Sequence, residues 1–196
     1  MKKKNIAVLL ILISLSASVL QIGPSYTIDM PIDIGSDKPI NPENLSFSNY
    51  RLGADLRLNI GYLTFEESIR TSFTEQLVLE KFDLLTTLSL KAELFFLDFL
   101  IGGGLKTSAV KSENDWYFNG LLKPDFKDVA LSSTLFYKGS LDINLGKNIT
   151  LFCSLVMPTA ESINSLNETR EISVISVLTP SLKESQATVG VLFRIF

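Results

Sequence analysis

The chain of 196 residues carries 18 basic and 21 acidic residues, a single cysteine and no histidine. Its length fits one domain, and the lone Cys153 excludes an intramolecular disulfide framework. The absence of histidine excludes the common Ser-His-Asp hydrolase site and most zinc sites, and the acidic balance argues against nucleic acid as a partner.

The first segment has the composition of a secretory signal peptide. Lysines at positions 2–4 precede an apolar run at 6–15 and the small residues Ser16, Ala17 and Ser18, which is the order found in a cleaved leader. The apolar run is shorter than the roughly 20 residues that a membrane helix needs. We therefore predict a signal peptide over residues 1–18, with an uncleaved anchor as the alternative. Its removal takes away three lysines and no acidic residue, so the net charge changes from −3 to −6.

Residues 19–49 are predicted to form an irregular N-terminal segment, because prolines at positions 24, 31, 39 and 42 are spread along it. Within this segment, residues 26–34 alternate between apolar and polar side chains. Pro31 lacks the N–H group that an internal strand donates to its neighbour. We expect an edge strand or extended tail at 26–34. Whether this segment adds a further strand to the barrel is left undecided by the pattern.

The clearest pattern in the chain runs from Tyr50 to Tyr62. Its even positions are all apolar, whereas its odd positions carry Arg51, Asp55 and Arg57. The alternation continues for thirteen residues, while strands of soluble proteins usually alternate over about 4–8 residues. A strand that crosses a bilayer at a tilt needs about 9–11 residues, with aromatic side chains at both boundaries. The pattern predicts a lipid-facing strand with Tyr50 and Tyr62 in the aromatic girdles.

The remaining chain is predicted to consist of strands separated by polar turns. Residues 63–80 are interpreted mainly as the longest exposed loop. Further strands are predicted at 82–94, 99–109, 116–122, 130–145, 149–157, 170–179 and 186–196, with turns or polar loops at 95–98, 110–115, 123–128, 146–148, 158–169 and 180–185.

These segments give eight strands, or ten if residues 26–34 and part of 68–79 also pair. An even number is expected for a bacterial single-chain membrane barrel. The predicted fold class is all-β, a closed antiparallel up-and-down transmembrane β-barrel over residues 50–196, with eight strands preferred.

The C-terminal segment, residues 187–196 (ATVGVLFRIF), ends in phenylalanine. It resembles the terminal strand of bacterial outer-membrane β-barrels, which ends in an aromatic residue and is read by the barrel-assembly machinery. Together with the leader and the alternating strands, the chain resembles small outer-membrane barrels of the OmpA, OmpX and OmpW type, as a pattern over most of residues 50–196. Phe193 and Phe196 form the candidate assembly signal. In a regular strand, however, Phe193 and the alternating apolar residues before it lie on the opposite face from Phe196.

This resemblance implies a bacterial outer-membrane location. The partners that it implies are the lipid bilayer and the barrel-assembly machinery, together with an extracellular ligand or a host or surface partner. No nucleic-acid partner is expected.

The charged faces of the clear strands are predicted to point into the lumen, because an Arg or Lys that faces lipid at mid-membrane costs about 2–4 kcal/mol. The apolar faces of these strands then carry no charge. A narrow eight-stranded barrel holds side chains but hardly a channel, so we expect the charges to pair as a plug, with a small ion-selective pore as the alternative. The candidate lumen residues are Arg51, Asp55, Arg57, Asp83, Lys91, Glu93, Lys106, Lys138, Asp142 and Arg194.

No enzyme motif is found in the sequence. The glycines at 102–104 lack the Lys-Ser/Thr pair of a phosphate-binding loop, and Cys153 falls on an apolar, lipid-facing phase. We therefore predict no catalytic residue, cofactor or metal site. The first hypothesis is a barrel for surface interaction, adhesion or envelope integrity. The others are a narrow porin or small-molecule channel, and a soluble exported lipocalin-like barrel whose apolar face points inward.

Overall fold

A computed structural model describes residues 18–32, 50–73, 79–112, 115–163, 165, 175 and 178–195. Most of these residues belong to β-strands. In chain order the strands are β1 (Val19–Asp29), β2 (Arg51–Ile60), β3 (Leu63–Phe73), β4 (Leu79–Leu94), β5 (Leu97–Ser112), β6 (Asp115–Phe118), β7 (Leu121–Leu122), β8 (Thr134–Leu145), β9 (Ile149–Ser162) and β10 (Gln186–Arg194). The helix α1 (Phe126–Ser132) and a 3₁₀ turn (Leu182–Glu184) lie in the connections.

Eight of the strands form a closed antiparallel ring in the order β1, β2, β3, β4, β5, β8, β9 and β10. The ring closes because β1 pairs with β10 as well as with β2. A closed ring leaves no open sheet edge. The predicted fold class, a closed antiparallel up-and-down barrel of eight strands, is confirmed. The strands β6 and β7 only extend the end of β5 and do not enter the ring.

The two ends of the barrel differ in how they connect the strands. At one end, the turn end, tight turns at 61–62, 95–96 and 146–148 join neighbouring strands. Gly61 and Gly146 have φ values of +58° and +77°, a backbone region that tight hairpin turns require and glycine adopts without strain. At the other end, the loop end, the connections span residues 30–50, 74–78, 113–133 and 163–185. Short and long connections therefore alternate along the chain.

The connection between β5 and β8 folds into a small hairpin, β6–β7, followed by α1. The side chain of Asp125 accepts a hydrogen bond from the Asp128 backbone N–H at 2.8 Å, which caps the start of the helix. We predicted a turn at 123–128 followed by a strand from residue 130. The structure corrects this prediction, because the capped helix delays the strand until Thr134.

Among the residues that the structure describes, no helix combines the length and the apolar character needed to cross a membrane.

The structure also corrects the prediction of an irregular segment over 19–49. Residues Val19–Asp29 form a full barrel strand, and residues 33–49 lie outside the described ranges. Pro24 lies inside this strand and pairs in register with Ala54 of β2. On the β10 side, the pairs on either side of this position are Ile22–Phe193 and Ser25–Gly190. The β1–β10 ladder therefore has a gap at Pro24. Because no backbone N–H is required there, the strand can contain a proline.

The second correction concerns residues 63–80, which we interpreted as the longest loop. Residues Leu63–Phe73 form β3, a strand paired along both sides. Conversely, the strand predicted at 116–122 is the hairpin outside the ring, and the strand predicted at 170–179 falls mostly outside the described residues. The predicted number of barrel strands is correct. However, the predicted strands at 116–122 and 170–179 are not in the ring, and β1 and β3 take their places.

Candidate functional site

The inward side of the barrel is lined mainly by polar and charged side chains. Side chains alternate between the two faces of each strand, and most of the buried positions hold polar residues. Asp55 and Arg57 are fully buried. Buried charges are stable only when they are paired or hydrogen-bonded, so the partners of these residues define the site.

A group of ion pairs crosses the middle of the lumen. Arg57 on β2 donates to Glu66 on β3 at 2.8 Å and also to Asp142 on β8. Lys138 on β8 donates to the other oxygen of Glu66. Since β2 and β8 stand opposite each other in the ring, the Arg57–Asp142 pair spans the interior from wall to wall.

A second set of contacts extends this group along the β2–β3 wall. Arg70 donates to Asp55 Oδ1 at 2.7 Å, and the Ser68 hydroxyl donates to the same oxygen at 2.6 Å. Ser68 also lies 3.0 Å from Glu66 Oε1, which joins the two sets. Three cations and three carboxylates are thereby held together. We name them the central cluster, and its members are Asp55, Arg57, Glu66, Arg70, Lys138 and Asp142.

The central cluster packs against an aromatic ring on β9. The guanidinium carbon of Arg57 lies 5.3 Å from the centroid of Phe152, within the range of a cation–π contact. The ring lies over Gly190 on β10, where an added Cβ would approach Phe152 Cε1 to 2.5 Å. The glycine therefore makes room for the ring, and the ring fills the interior beside the ion pairs.

A second charged group, the loop-end cluster, surrounds the buried carboxylate of Asp83 on β4. The cationic groups of Arg51, Lys81 and Lys106 lie 3.7, 3.8 and 3.6 Å from it. The Ser108 hydroxyl donates to it at 2.5 Å. Arg51 also reaches Asp29 on β1 at 3.1 Å. We define the cluster by these residues: Asp29, Arg51, Lys81, Asp83, Lys106 and Ser108.

Toward the turn end a continuous belt of hydrogen bonds links five uncharged side chains and one carboxylate. Every donor points the same way around the barrel, and the last acceptor is the carboxylate of Asp98. The belt runs from Thr64 to Asn59 (2.7 Å), Gln21 (2.9 Å), Thr150 (3.0 Å), Asn144 (2.9 Å) and Asp98 (2.9 Å). We name these six residues the turn-end belt.

A polar cavity of about 310 Å³ opens beside this belt. Its lining includes Lys91, Glu93, Lys147 and Arg194, and Lys91 is paired with Glu93 at 2.5 Å. Asp142 of the central cluster also lines it. Within the described ranges, no group of His, Cys, Asp and Glu side chains is arranged to hold a metal ion.

The structure places the ten candidate lumen charges on the inward phase of their strands. Asp55, Arg57, Lys138 and Asp142 meet in the central cluster, whereas Arg51, Asp83 and Lys106 meet in the loop-end cluster. Lys91, Glu93 and Arg194 lie at the turn end, where the Glu93 side chain is 58% exposed.

Sequence analysis missed Glu66 and Arg70, because both fall in the segment that we took for a loop. The signal was present in part: Leu63, Phe65 and Ile69 alternate with polar residues. Glu67 broke the pattern by placing a charge on the apolar phase. The expectation that the apolar faces of the strands carry no charge therefore does not extend to β3, where Glu67 is exposed on the outer wall.

The outward face of the barrel is otherwise uncharged and mainly apolar across its middle, and it is aromatic near both ends. Near the turn end, Tyr62 and Phe95 are 76% and 97% exposed. Near the loop end, the rings of Tyr26 and Tyr50 stack at 5.6 Å. Cys153 and Phe193 face outward and are exposed, and Phe196 lies outside the described residues.

Comparison with known proteins gives the fold. The N-terminal β-barrel domain of Pseudomonas aeruginosa OprF aligns with a TM-score of 0.52 and 10% identity, over 91% of this chain and 97% of that one. Neisserial surface protein A aligns with a TM-score of 0.44 and 7% identity, over 90% and 96%. Ail of Yersinia pestis, in complex with the heparin analogue sucrose octasulfate, aligns with a TM-score of 0.42 and 12% identity, over 91% and 97%.

No family model and no curated protein matches the sequence. The likeness to the OprF barrel, at 10% identity, shows a shared fold. It agrees with the resemblance drawn from the terminal strand and the alternating pattern. The chain has the fold of the small eight-stranded outer-membrane barrels.

Proposed function

We propose that the protein is a non-enzymatic integral β-barrel of the bacterial outer membrane, with a role in surface interaction or envelope integrity. The observation that carries this proposal is the distribution of polarity. Glu67 apart, the described wall turns mainly apolar side chains outward across its middle, and its buried charges face inside. This arrangement is stable when the outside is lipid.

The dimensions of the barrel fit this placement. A strand such as β2, with its 10 residues, covers roughly 25 Å of depth at the rise and tilt of membrane strands. That is about the height of the apolar band of such barrels. Aromatic side chains stand at both ends of β2, as Tyr50 and Tyr62.

The two ends of the barrel suggest its orientation. Outer-membrane barrels have short turns on the periplasmic side and longer loops outside. The turn end would then face the periplasm, and the four loop-end connections would face the cell exterior. A ligand, host or surface partner would meet the protein there, and adhesion is the most concrete form of that role.

The interior supports a structural role more than a channel. The Arg57–Asp142 and Lys138–Glu66 pairs cross the lumen between strands that are not neighbours. Such pairs fill a barrel of this size, which has space for side chains but not for an open path. We therefore favour the plugged barrel over the narrow porin. The soluble lipocalin-like alternative needs an apolar interior, whereas the buried positions here are mainly polar.

The first test is the mobility of the membrane-extracted protein on a gel in mild detergent, with and without boiling. A closed barrel whose strands are all paired on both sides resists unfolding until it is heated, so we expect two bands of different mobility. Release by carbonate alone and a single band would contradict the proposal and favour a soluble barrel.

The orientation is tested with an epitope inserted either after residue 175, in the β9–β10 connection, or after Lys147, in the β8–β9 turn. Antibody should label the first variant on intact cells and the second only after the outer membrane is permeabilised. Labelling of the Lys147 insertion on intact cells would reverse the orientation.

A further inference from the structure

The polar cavity beside the turn-end belt has the size and the lining of a small ligand site. Its volume of about 310 Å³ lies at the lower end of the range for ligand pockets, about 300–1,000 Å³. The belt amides Gln21, Asn59 and Asn144 line it. Each amide nitrogen carries two hydrogens, and the belt uses one of each. The belt therefore leaves three amide hydrogens to donate to a bound molecule.

Asp98 on β5 contributes a carboxylate to this cavity. The residue is only 9% exposed. Its donor in the belt is the uncharged Asn144 amide, at 2.9 Å, and no cation of the described residues forms an ion pair with it. Its neighbour across the β5–β8 ladder, Asp142, is instead paired with Arg57. Because a buried carboxylate is stabilised by a paired cation, Asp98 offers a place for a cationic group.

Two cations line the same cavity from another part of the wall. Lys147 lies in the β8–β9 turn and Arg194 lies at the end of β10, while β8 and β9 separate β10 from β5 in the ring. Within the described ranges neither cation forms an ion pair. The remaining cation of the lining, Lys91, is already paired with Glu93. The cavity therefore has a free anionic side and a free cationic side.

We infer that this cavity, the turn-end cavity, binds a small zwitterion, namely an amino acid or a dipeptide. The ammonium group of the ligand pairs with Asp98, and its carboxylate pairs with Lys147 and Arg194. The spare amide hydrogens of the belt donate to the oxygens of the ligand. A simple anion would meet Asp98 with like charge, and a polyamine would meet two cations, so a molecule that carries both charges fits best.

The inference goes beyond the proposed role in surface interaction or envelope integrity, because it concerns the end of the barrel opposite the loops. In the proposed orientation the turn-end cavity would open to the periplasm. Binding itself is measured on the folded protein in detergent, so the test does not depend on that orientation.

The experiment compares three ligands on the wild-type protein in detergent micelles. Glycylglycine carries both charges, N-acetylglycylglycine lacks the ammonium group, and glycylglycine amide lacks the carboxylate. The side-chain amide signals of Gln21, Asn59 and Asn144 report on binding by nuclear magnetic resonance. We expect saturable shifts with glycylglycine and roughly 10- to 150-fold weaker binding of each blocked form, the range for one hydrogen bond to a charged group.

Two other outcomes of this comparison would overturn the inference. One is the absence of a saturable shift with glycylglycine. The other is binding of a blocked form as tight as that of glycylglycine, which would assign the cavity to a simple anion or a simple cation. The comparison needs no substitution, so it decides the question even if a variant fails to fold.

Substitutions then test each side of the cavity separately. Asp98→Asn keeps an acceptor for Asn144 but removes the charge, so it should weaken glycylglycine binding without weakening that of N-acetylglycylglycine. Arg194→Gln should weaken glycylglycine binding without weakening that of glycylglycine amide. The exposed pair of Asp115 and Lys123 at the loop end supplies matched controls, because Asp115→Asn and Lys123→Gln make the same changes of charge away from the cavity.

The mobility shift between boiled and unboiled samples shows that each variant is folded. Both controls should bind glycylglycine as the wild type does. A folded Asp98→Asn variant with wild-type affinity for glycylglycine would overturn the inference. So would a control that weakens binding as much as the substitutions in the cavity.

Discussion

The centre of the barrel interior and its turn end are held together by different chemistry. The central cluster buries three cations and three carboxylates, with Arg57 and Asp55 fully enclosed. The turn-end belt uses amides and hydroxyls beside an open cavity of about 310 Å³. Where water is excluded, the chain uses matched charges. Where water can enter, amides and hydroxyls form a chain of hydrogen bonds that ends on one carboxylate, that of Asp98.

The difference predicts how each region responds to the loss of one group. A charge left without its partner in a buried site keeps the full cost of its desolvation. A hydrogen-bonding group left beside water recovers part of its loss by solvation. Substitutions at the centre should therefore cost several times more than substitutions in the belt.

The largest effect is expected for Glu66→Ala. The substitution removes the carboxylate that both Arg57 and Lys138 contact, and breaking a buried ion pair costs about 3–5 kcal/mol. Reversible urea unfolding in detergent, followed by far-ultraviolet circular dichroism, measures the change as a lower midpoint at an unchanged slope.

The neighbouring glutamate provides the control for this experiment. Glu67→Ala removes the same group one position along the strand, but from the outer wall. Its free energy of unfolding in detergent should differ little from that of the wild type. Equal losses from Glu66→Ala and Glu67→Ala would mean that inward burial does not decide the cost.

The sequence pattern was sufficient to predict the strand number, but the agreement contains two errors that cancel. Val19–Asp29 was anticipated only in part, as a possible additional strand at 26–34, because the prolines of this segment argue against a strand. The ladder gap beside Pro24 is visible only in the structure. Residues 63–73 were missed because Glu67 places a charge on the apolar face. The strands predicted at 116–122 and 170–179 compensated in number. Local pattern identifies a barrel wall but cannot tell which strands close the ring.

For the site, the alternation of apolar and charged residues predicted which charges face inward. It could not predict which of these charges pair with each other. The pairing of Arg57 with Asp142 depends on β2 and β8 standing opposite each other, which is a property of ring closure. The belt was not anticipated either, because Gln21 lay in the segment predicted to be irregular. Asn59 and Asn144 carry no charge and gave no signal in the sequence.

An intermediate effect is expected for Asn144→Ala in the belt. Asn144 accepts from Thr150 and donates to Asp98, both at 2.9 Å. Loss of a buried partner costs about 1–3 kcal/mol, and the adjacent cavity should keep the value near the lower limit. Asn148→Ala, in the exposed turn between the same two strands, should change the urea midpoint little. A loss as large as that of Glu66→Ala would remove the distinction between belt and centre.

The smallest effect is expected at the rim of the loop-end cluster, for Asp29→Asn. The pair with Arg51 spans 3.1 Å, but the Asp29 side chain is 38% exposed, and exposed ion pairs contribute about 0.2–1 kcal/mol. Added salt should reduce the difference further, because salt screens exposed charges. Asp83→Asn in the same cluster is the matched comparison, since Asp83 is buried among three cations. Its loss should be larger and should persist in high salt. If Asp29→Asn and Asp83→Asn lower the free energy of unfolding equally and respond alike to salt, then exposure does not set the energy of these ion pairs. The predicted decrease in effect from the centre of the barrel to its rim would then be wrong.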